Sequence, residues 1–337
     1  MKILFDPDPR TEDEIFSAAD NRLFRESYEI VEVNAESRAE VYRRNLPSTH
    51  IAISQQPFGK TELMRAKRLR AIFNVETNFL QNVDYEECFR RGIHVLTPGS
   101  VFAVPVAEMA LGMALSLARG IHTGHADFLV GSEQYGLDGN ADAELLTGAN
   151  VGIIGFGDLG RAVRRALLGF NANIRVYDPW LPSGILEREG VQPMDLGDLL
   201  ADSRFVFVTA SATSENQKFL GAREISKMRC KSMLILLSRA AVADFDALRD
   251  AADSGRIRVA TDVYPEEPFP KFHPLRKAKG ILFSAHRAGA VPSALTGIGR
   301  LVLEDMEMIA RGLPPFSCRR AERETVGRLQ SMPISRT

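Results

Sequence analysis

The sequence predicts an α/β protein with two doubly wound parallel sheets. Short apolar runs alternate with longer helix-like stretches along most of the chain, and this pattern is typical of parallel sheets flanked by helices. The alternation occurs in two series, and the second begins at Asn150 with a strand, a glycine-rich turn and a helix. The length of 337 residues, 45% of them hydrophobic, is sufficient for about two domains.

The first series occupies residues 1–100 and predicts one sheet with helices on its faces. Its strand-like and helix-like segments are, in order, KILFD, Thr11–Ala19, YEIVEV, Arg38–Asn45, HIAIS, Thr61–Lys67 and LRAIFNV.

The second series predicts a sheet of about six strands. Its strand-like runs are NVGII, NIRVYD, RFVFVTA, SMLILLS, IRVATDV and GILFS, with helices expected at Asp195–Asp202, Ala222–Met228 and Asp244–Ser254. One long helix-like stretch, Leu295–Arg311, follows. The final segment, Arg319–Thr337, has little apolar periodicity, and we expect it to be peripheral.

The net charge and the cysteine content limit the classes of binding partner and the cellular compartment that we expect. The 42 basic and 43 acidic residues give a net charge of -1, which predicts neither a nucleic acid nor a membrane partner. The three cysteines are far apart and form no CxxC pair, so a reducing, cytoplasmic location is expected. His122 and His125 lack a third ligand at zinc-site spacing, and we therefore expect no metal.

The most apolar stretch, Val101–Ala118, approaches the length of a membrane span but contains Pro105 and Glu108. It predicts a buried or interface helix. The N-terminal run MKILFDPD is too short for the apolar region of a signal peptide and is interpreted as a first strand.

The run GFGDLG, which directly follows the strand VGII and opens a helix, predicts a dinucleotide-binding turn. Gly155 permits the tight turn, Gly157 allows the backbone to approach a pyrophosphate, and Gly160 allows close helix packing. With Asp158 and Leu159, these glycines are the predicted cofactor-binding residues at the helix start. The alternative is a purely structural glycine turn.

An acidic residue, Asp178, ends the next strand at the position where a carboxylate accepts hydrogen bonds from the adenosine ribose. It would repel a 2′-phosphate, and Pro179 and Trp180 offer no arginine to bind one, so NAD is favoured over NADP. The alternative is a turn residue at a strand end.

Three later strands are each followed by a candidate catalytic residue: Arg239, Glu267 and His286. Hydride transfer at a hydroxyl-bearing carbon needs a proton partner, a cation that anchors a carboxylate, and a group that orients the acid-base residue. Histidine, arginine and glutamate meet these needs, and an adjacent carboxylate favours the imidazolium form. Taken singly, each residue could instead be structural or a solvated charge.

These motifs, in this order, resemble the D-isomer-specific 2-hydroxyacid dehydrogenase family from about Gly92 to Arg311. GFGDLG with Asp178 is similar to its cofactor turn, and SRAAVADFDAL resembles its arginine signature. TDVYPEEP resembles its DVF-x-x-EP element, and SAHRAG is similar to its PH-x-AG element.

The resemblance implies a role for each matching residue. Arg239 would hold the substrate carboxylate and carbonyl, His286 would be the general acid-base, and Glu267, which directly precedes proline, would hydrogen-bond the histidine. Asp262 would contact the nicotinamide carboxamide. Further cofactor contacts are expected at Ala210, Leu237 and Gly289.

The substrate loop departs from the family pattern aGvGvDNvD. Thr77 and Phe79 replace its two glycines, whose region supplies backbone N–H groups to the substrate carboxylate. Glu76, Thr77 and Asn78, together with Arg239, are the predicted substrate-binding residues. Because Glu76 adds a negative charge there, a dehydrogenase that acts on a neutral or amino-bearing substrate is an alternative.

The resemblance also implies the architecture: a Rossmann-type NAD-binding domain, residues 101–291, inserted into a flavodoxin-like substrate domain, residues 1–100 plus 292–337, with the chemistry between them. It implies a homodimer through the NAD-binding domain, with Val106–Arg119 at the interface. The predicted function is NAD-dependent hydride transfer to or from a small 2-hydroxy or 2-keto acid of the phosphoglycerate, glycerate/hydroxypyruvate or glyoxylate type. The alternative is a non-catalytic, NAD(H)-sensing binding protein of the same fold.

Overall fold

The computed structural model describes residues 1–76 and 78–329. The chain divides into two compact units. The first unit comprises Met1–Phe102 and the segment that begins at Ala290, and the second comprises Ala103–Gly289. The predicted substrate-binding residue Thr77 lies outside the described residues.

The elements follow the predicted alternation of strands and helices. Before Ala103 they are β1 (Lys2–Asp6), α1 (Glu12–Ile15), α2 (Ala18–Ser27), β2 (Glu29–Glu32), α3 (Arg38–Asn45), β3 (Ile51–Ser54), α4 (Lys60–Arg65), β4 (Ala71–Phe73), α5 (Tyr85–Arg91) and β5 (His94–Thr97). In the second unit they are α6 (Ala103–Arg119), α7 (Ile121–Val130), β6 (Asn150–Ile154), α8 (Asp158–Ala166), β7 (Asn173–Tyr177), α9 (Ser183–Arg188), β8 (Gln192–Pro193), α10 (Leu196–Asp202), β9 (Phe205–Val208), α11 (Ala222–Lys227), β10 (Met233–Leu236), α12 (Phe245–Asp253), β11 (Arg258–Thr261) and β12 (Ile281–Phe283). After Gly289 they are α13 (Pro292–Leu295), α14 (Gly297–Ala310) and β13 (Arg319–Arg320).

The sheet of the first unit has the order β13-β5-β4-β3-β1-β2 within the described residues. Its first five strands in the chain pair in parallel, whereas β13 is antiparallel to β5. Both faces are buried, as expected for a parallel sheet covered by helices. Ile3 and Phe5 of β1 pack into one core cluster with Phe24 of α2, while Leu4 packs into the cluster on the other face.

Two local expectations for this unit are wrong. The helix expected at Thr11–Ala19 is two helices, because the Ser17 hydroxyl accepts the Asp20 N–H and begins α2. The tail is not peripheral up to Leu329: β13 pairs with β5, and Ala321, Val326 and Leu329 are buried. A two-residue strand followed by a turn shows no periodicity in the sequence. The burial of this segment could therefore not be predicted.

The sheet of the second unit is parallel throughout its described strands, in the order β12-β11-β10-β9-β6-β7-β8. The short edge strand β8, Gln192–Pro193, was not predicted, since two residues carry no apolar pattern. The chain reverses its direction across the sheet between β6 and β9, and ligands bind at such a switch point, outside the carboxyl ends of the strands. The predicted fold class is confirmed.

The apolar helix α6 packs on this sheet and on α8. With the turn before it, Gly99–Arg119 has the length and composition of a membrane span, and 44% of its most apolar window is buried within the fold. Ala107, Ala110 and Met113 belong to the core cluster on that face of the sheet. Core helices of globular proteins share this composition.

Candidate active site

The glycine turn after β6 has three distinct local geometries. Gly155 has φ +88°, and a Cβ there would lie 2.6 Å from the Ala210 Cα. A Cβ on Gly160 would lie 2.4 Å from the Gly155 carbonyl oxygen. At Gly157, by contrast, no heavy atom of the described residues lies within 4 Å of such a Cβ. Two glycines are thus required by the packing of the turn itself, and Gly157 leaves open space before α8.

Asp178 lies directly beside this turn. One carboxylate oxygen accepts the Phe156 N–H at 2.7 Å, and the other accepts the Trp180 N–H at 2.9 Å. An ionised carboxylate has further acceptor capacity, so it can also receive ribose hydroxyl groups. On the opposite side, the Thr209 hydroxyl donates to the Gly155 carbonyl at 2.5 Å and fixes the turn against the end of β9.

The other predicted cofactor residues differ in accessibility. Asp158 is exposed at the start of α8, whereas Leu159 and Ala210 are half-buried. Leu237 is buried in the core cluster after β10, so any cofactor contact there would use its backbone. Gly289 is half-buried at the end of the second unit.

Arg239, Glu267 and His286 follow β10, β11 and β12, which are consecutive strands of the sheet. The parallel order therefore brings all three to the same carboxyl edge. Arg239 is half-buried and donates from Nη1 to the Ser238 carbonyl at 2.8 Å.

His286 and Glu267 form a hydrogen bond in which the Nδ1–Oε2 distance is 2.5 Å. The other oxygen of Glu267 accepts the Tyr264 N–H at 3.0 Å, which fixes the carboxylate. An ionised carboxylate only accepts hydrogen bonds, so Nδ1 of His286 carries the proton. Nε2 is then the nitrogen that can exchange a proton with a ligand, and the His286 side chain is 46% exposed.

Asp262 holds the backbone that carries His286. It is 1% exposed, and its two oxygens accept the N–H groups of Arg287 and Ala288 at 3.1 and 2.9 Å. His286 itself has φ +48°, a left-handed conformation that costs a non-glycine residue roughly 1–3 kcal/mol. The buried carboxylate compensates for this strain through charge-assisted hydrogen bonds. Sequence reasoning assigned Asp262 to the nicotinamide, and that contact remains a prediction.

Tyr264 is a positioning residue that sequence reasoning missed. Its hydroxyl donates to the Ser284 carbonyl at 2.5 Å and so ties the Glu267 loop to the end of β12. Burial, with a smaller contribution from Asp262, raises the pKa of Tyr264 to about 12, so the hydroxyl stays a donor. Its ring packs against Phe269 with centroids 4.7 Å apart. The only sequence feature that could have indicated this positioning role is the presence of a tyrosine within the motif TDVYPEEP.

In the first unit, Glu76 is buried and paired. Its Oε1 accepts the Arg10 Nε–H at 2.6 Å, and the side chains are 4% and 19% exposed. The negative charge expected at Glu76 is therefore offset by the guanidinium of Arg10. No sequence signal indicated Arg10, which lies 66 residues away in the loop after β1.

The backbone groups around Glu76 also form hydrogen bonds within the first unit. The Glu76 N–H donates to the Asn74 Oδ1 at 3.0 Å, and its carbonyl accepts the Thr97 hydroxyl. The Asn74 amide in turn donates to the Asn78 carbonyl at 2.8 Å. Phe79, which replaces the second family glycine, is 3% exposed and packs in the core. The Glu76 N–H is thus not available to a substrate carboxylate in this arrangement.

Residues 111–288, more than half of the chain, match the family model described as D-isomer specific 2-hydroxyacid dehydrogenase, NAD binding domain. A glyoxylate reductase of Thermococcus litoralis is 31% identical over 264 residues, covering 76% of this chain and 78% of that protein. A D-3-phosphoglycerate dehydrogenase of Methanocaldococcus jannaschii is 28% identical over 250 residues, covering 74% of this chain. The match spans only 47% of that longer relative.

The fold also matches solved structures. A crystal structure described as a phosphoglycerate oxidoreductase from Rhizobium etli is 52% identical, with a TM-score of 0.88. The match covers 96% of this chain and 99% of that one.

The open space at Gly157 leads to a prediction that separates folding from cofactor binding. Gly157→Ala should leave the melting temperature unchanged, because nothing in the described protein opposes the methyl group and φ is -74°. It should weaken NADH binding by about tenfold or more, because the methyl blocks close approach of the pyrophosphate to the backbone. NADH fluorescence titration and thermal unfolding measure the two effects.

The matched control is Gly169→Ala, which also meets open space but lies beyond α8, away from the turn. It should change neither property. Unchanged NADH affinity in Gly157→Ala would show that the glycine turn is structural only.

Proposed function

Because the chain belongs to the D-isomer specific 2-hydroxyacid dehydrogenase family, whose members are NAD-dependent oxidoreductases, we propose that it transfers a hydride between NAD(H) and C2 of a small 2-hydroxy or 2-keto acid. The observation that carries the proposal is the Glu267–His286 hydrogen bond. It lies at the carboxyl edge of the sheet that also bears the glycine turn.

The chemistry assigns one task to each of the three residues. The cofactor, when bound, supplies or accepts the hydride. In reduction, His286 donates the Nε2 proton to the substrate oxygen, and in oxidation it accepts the hydroxyl proton there. Glu267 stabilises the imidazolium and fixes which nitrogen faces the substrate. Arg239 binds the carboxylate through its planar guanidinium.

For the cofactor, we propose NAD rather than NADP. The carboxylate of Asp178 is fixed beside the glycine turn by two backbone N–H groups. It would repel a 2′-phosphate, and the two following residues, Pro179 and Trp180, supply no cation to offset that repulsion.

For the substrate, we propose a small acid of the phosphoglycerate, glycerate/hydroxypyruvate or glyoxylate type, in line with the names of the relatives. We further propose that Arg10 replaces the loop backbone as the group that recognises the anion in the first unit. It donates to Glu76 through Nε and Nη2, so the N–H groups of Nη1 remain for a ligand. The planar guanidinium of arginine matches the geometry of both carboxylate and phosphate groups.

We propose a homodimer that forms through the second unit, with an interface that extends from the predicted segment Val106–Arg119 of α6 to α7. The inner face of α6 is buried in the core, whereas large apolar side chains are exposed on α7 and in the segment that follows it. Phe128, Leu129 and Val130 are 64%, 70% and 76% exposed. A concentration of exposed large apolar side chains in one segment is typical of a protein interface, and a second copy is the occupant we propose.

The cytoplasmic location also remains a proposal, supported by the absence of a cysteine framework in the sequence.

The neighbouring glutamates of the PEEP run provide a matched test of the catalytic assignment. Glu267→Gln should lower kcat for glyoxylate or hydroxypyruvate reduction by about 10²-fold or more, because a neutral amide cannot stabilise the imidazolium. Glu266→Gln, one residue away and exposed, should leave kcat near that of the wild type. Equal effects of both changes would remove the basis for Glu267 as the partner of His286.

The Arg10–Glu76 pair separates an anionic substrate from an amino-bearing one. Arg10→Gln should raise KM for an anionic keto acid about tenfold with kcat little changed, since a charged hydrogen bond is lost in binding. Glu76→Gln should lower that KM, because the charge of Arg10 is no longer offset.

In Arg10→Gln the buried Glu76 carboxylate loses its partner, which could misfold the loop. The double variant Arg10→Gln/Glu76→Gln removes that carboxylate and is the control for misfolding. Its KM should stay high. If Glu76→Gln instead leaves the KM for keto acids unchanged and abolishes turnover of an amino-bearing substrate, Glu76 itself is the recognition group.

The dimer proposal predicts a change in mass. Phe128→Glu should convert a particle of about twice 37.3 kDa into one of 37.3 kDa in multi-angle light scattering, since the new charge would be buried at the interface. Phe316→Glu, at an 88% exposed phenylalanine of the first unit, is the control and should not change the mass. A wild-type mass of 37.3 kDa would contradict the proposal.

A further inference from the structure

A cavity of about 390 Å³ lies in the first unit, at the edge of the sheet opposite the predicted substrate loop. Its polar wall comes from the amino ends of β4 and β5 and from the end of α5, which place Arg70, His94 and Arg91 along it. The substrate loop follows the carboxyl end of β4. Arg70 and Asn74 are separated by the whole of that strand, or about 13 Å at the usual rise per residue.

The polar wall is cationic, and no acidic side chain among the described residues lines it. Arg91 is fixed by donation to the backbone carbonyls of Leu63 and Ala66, and it still contributes a full positive charge. Arg70 makes no ion pair within the part of the chain that the structure describes. Such a group of like charges is stabilised by an anion.

Apolar side chains form another part of the lining, here called the apolar wall. They are those of Leu69 and of Ile309, Leu313 and Pro314, the last three from the end of α14 and the turn after it. Gly312, with φ +75°, makes that turn, and a Cβ there would meet no described atom within 4 Å. The lining therefore combines cationic side chains for a charged group with aliphatic side chains for a short hydrocarbon part, at a volume typical of small-molecule sites.

We propose that this cavity, the amino-edge pocket, binds a small organic anion, with its phosphate or carboxylate group against Arg70 and His94. The site is distinct from the predicted active site and does not depend on the proposed reaction. Its ligand is an anion with a short apolar part rather than an inorganic ion, because four of the nine described lining residues have aliphatic side chains.

The charge state of His94 makes the binding pH-dependent. Burial, and then Arg320 and Arg70, lower the pKa of His94 below its usual value of 6.5, while Asp305 opposes this shift. Asp305 is itself buried, and its oxygens accept the N–H groups of Phe316, Ser317 and Cys318. A bound anion favours the imidazolium, so the affinity should rise as the pH falls through the pKa of His94.

The test uses the ring resonances of His94 in the full chain, assigned with the His94→Gln variant. Sulfate is the first probe, since its charge is constant between pH 5 and 8, and it is titrated against sodium chloride at matched ionic strength. We expect a saturable shift of the His94 signals, a raised His94 pKa in sulfate and tighter binding at lower pH. A non-saturating drift that chloride reproduces would overturn the proposal.

Charge variants locate the binding. Arg70→Gln should weaken sulfate binding about tenfold, as expected for the loss of a charged hydrogen bond. Arg43→Gln removes the same charge from α3, where Arg43 pairs with Glu40 outside the pocket, and should leave binding unchanged. Arg70→Lys retains the charge and controls for folding, with partial binding expected. Equal loss in Arg70→Gln and Arg43→Gln would show a diffuse surface effect and overturn the site.

A second pair of probes tests the apolar wall. Propanesulfonate and methanesulfonate carry the same charge and differ by two methylene groups, so propanesulfonate should bind about threefold more tightly or better. Equal affinities would overturn the assignment of an organic ligand.

Discussion

The candidate active site depends on one buried carboxylate that holds a strained backbone. His286 is in a left-handed conformation that its side chain disfavours, and the two N–H groups that follow it are bound by Asp262. Asp262 directly follows β11, next to the strand that leads to His286, so the sheet register places donor and acceptor together. Glu267 and Tyr264 then fix the imidazole from the adjacent loop. Without Asp262, the carboxyl edge of the sheet would not present Nε2 in a defined position.

The same arrangement places the three predicted catalytic residues on the second unit. Three consecutive strands deliver an arginine, a glutamate and a histidine, and the glycine turn follows β6 at the switch point of the same sheet. For the first unit we propose a different kind of recognition. The backbone groups of its loop form internal hydrogen bonds, through Asn74 and Thr97, and the proposed recognition group is the guanidinium of Arg10 in place of backbone N–H groups. A side chain that recognises the anion can tolerate the loss of the loop glycines, because it does not require their backbone freedom.

Much of this could be predicted from the sequence, where the signal is local. Buried parallel strands are short apolar runs, and the glycine turn can be recognised from the strand before it and the helix after it. Contacts between distant segments could not be predicted. The pairing of Arg10 with Glu76, the burial of Leu329 and the role of Tyr264 each join segments that only the sheet topology brings together. The interruption between α1 and α2 was not predicted, because a continuous helix through Ser17 would have a similar composition. The hydrogen bond from the Asp20 N–H to the Ser17 hydroxyl favours a new helix start instead.

The most direct test of hydride transfer is to follow the hydride itself. NADH deuterated at the transferred position of the nicotinamide is incubated with the protein and glyoxylate or hydroxypyruvate, and the product is analysed by mass spectrometry and NMR. The proposed function predicts one deuterium at C2 of the 2-hydroxy acid, formed by the wild type and lost in His286→Ala while NADH still binds. Tight NADH binding with no deuterium in the product from any 2-keto acid would contradict it and indicate a binding protein instead.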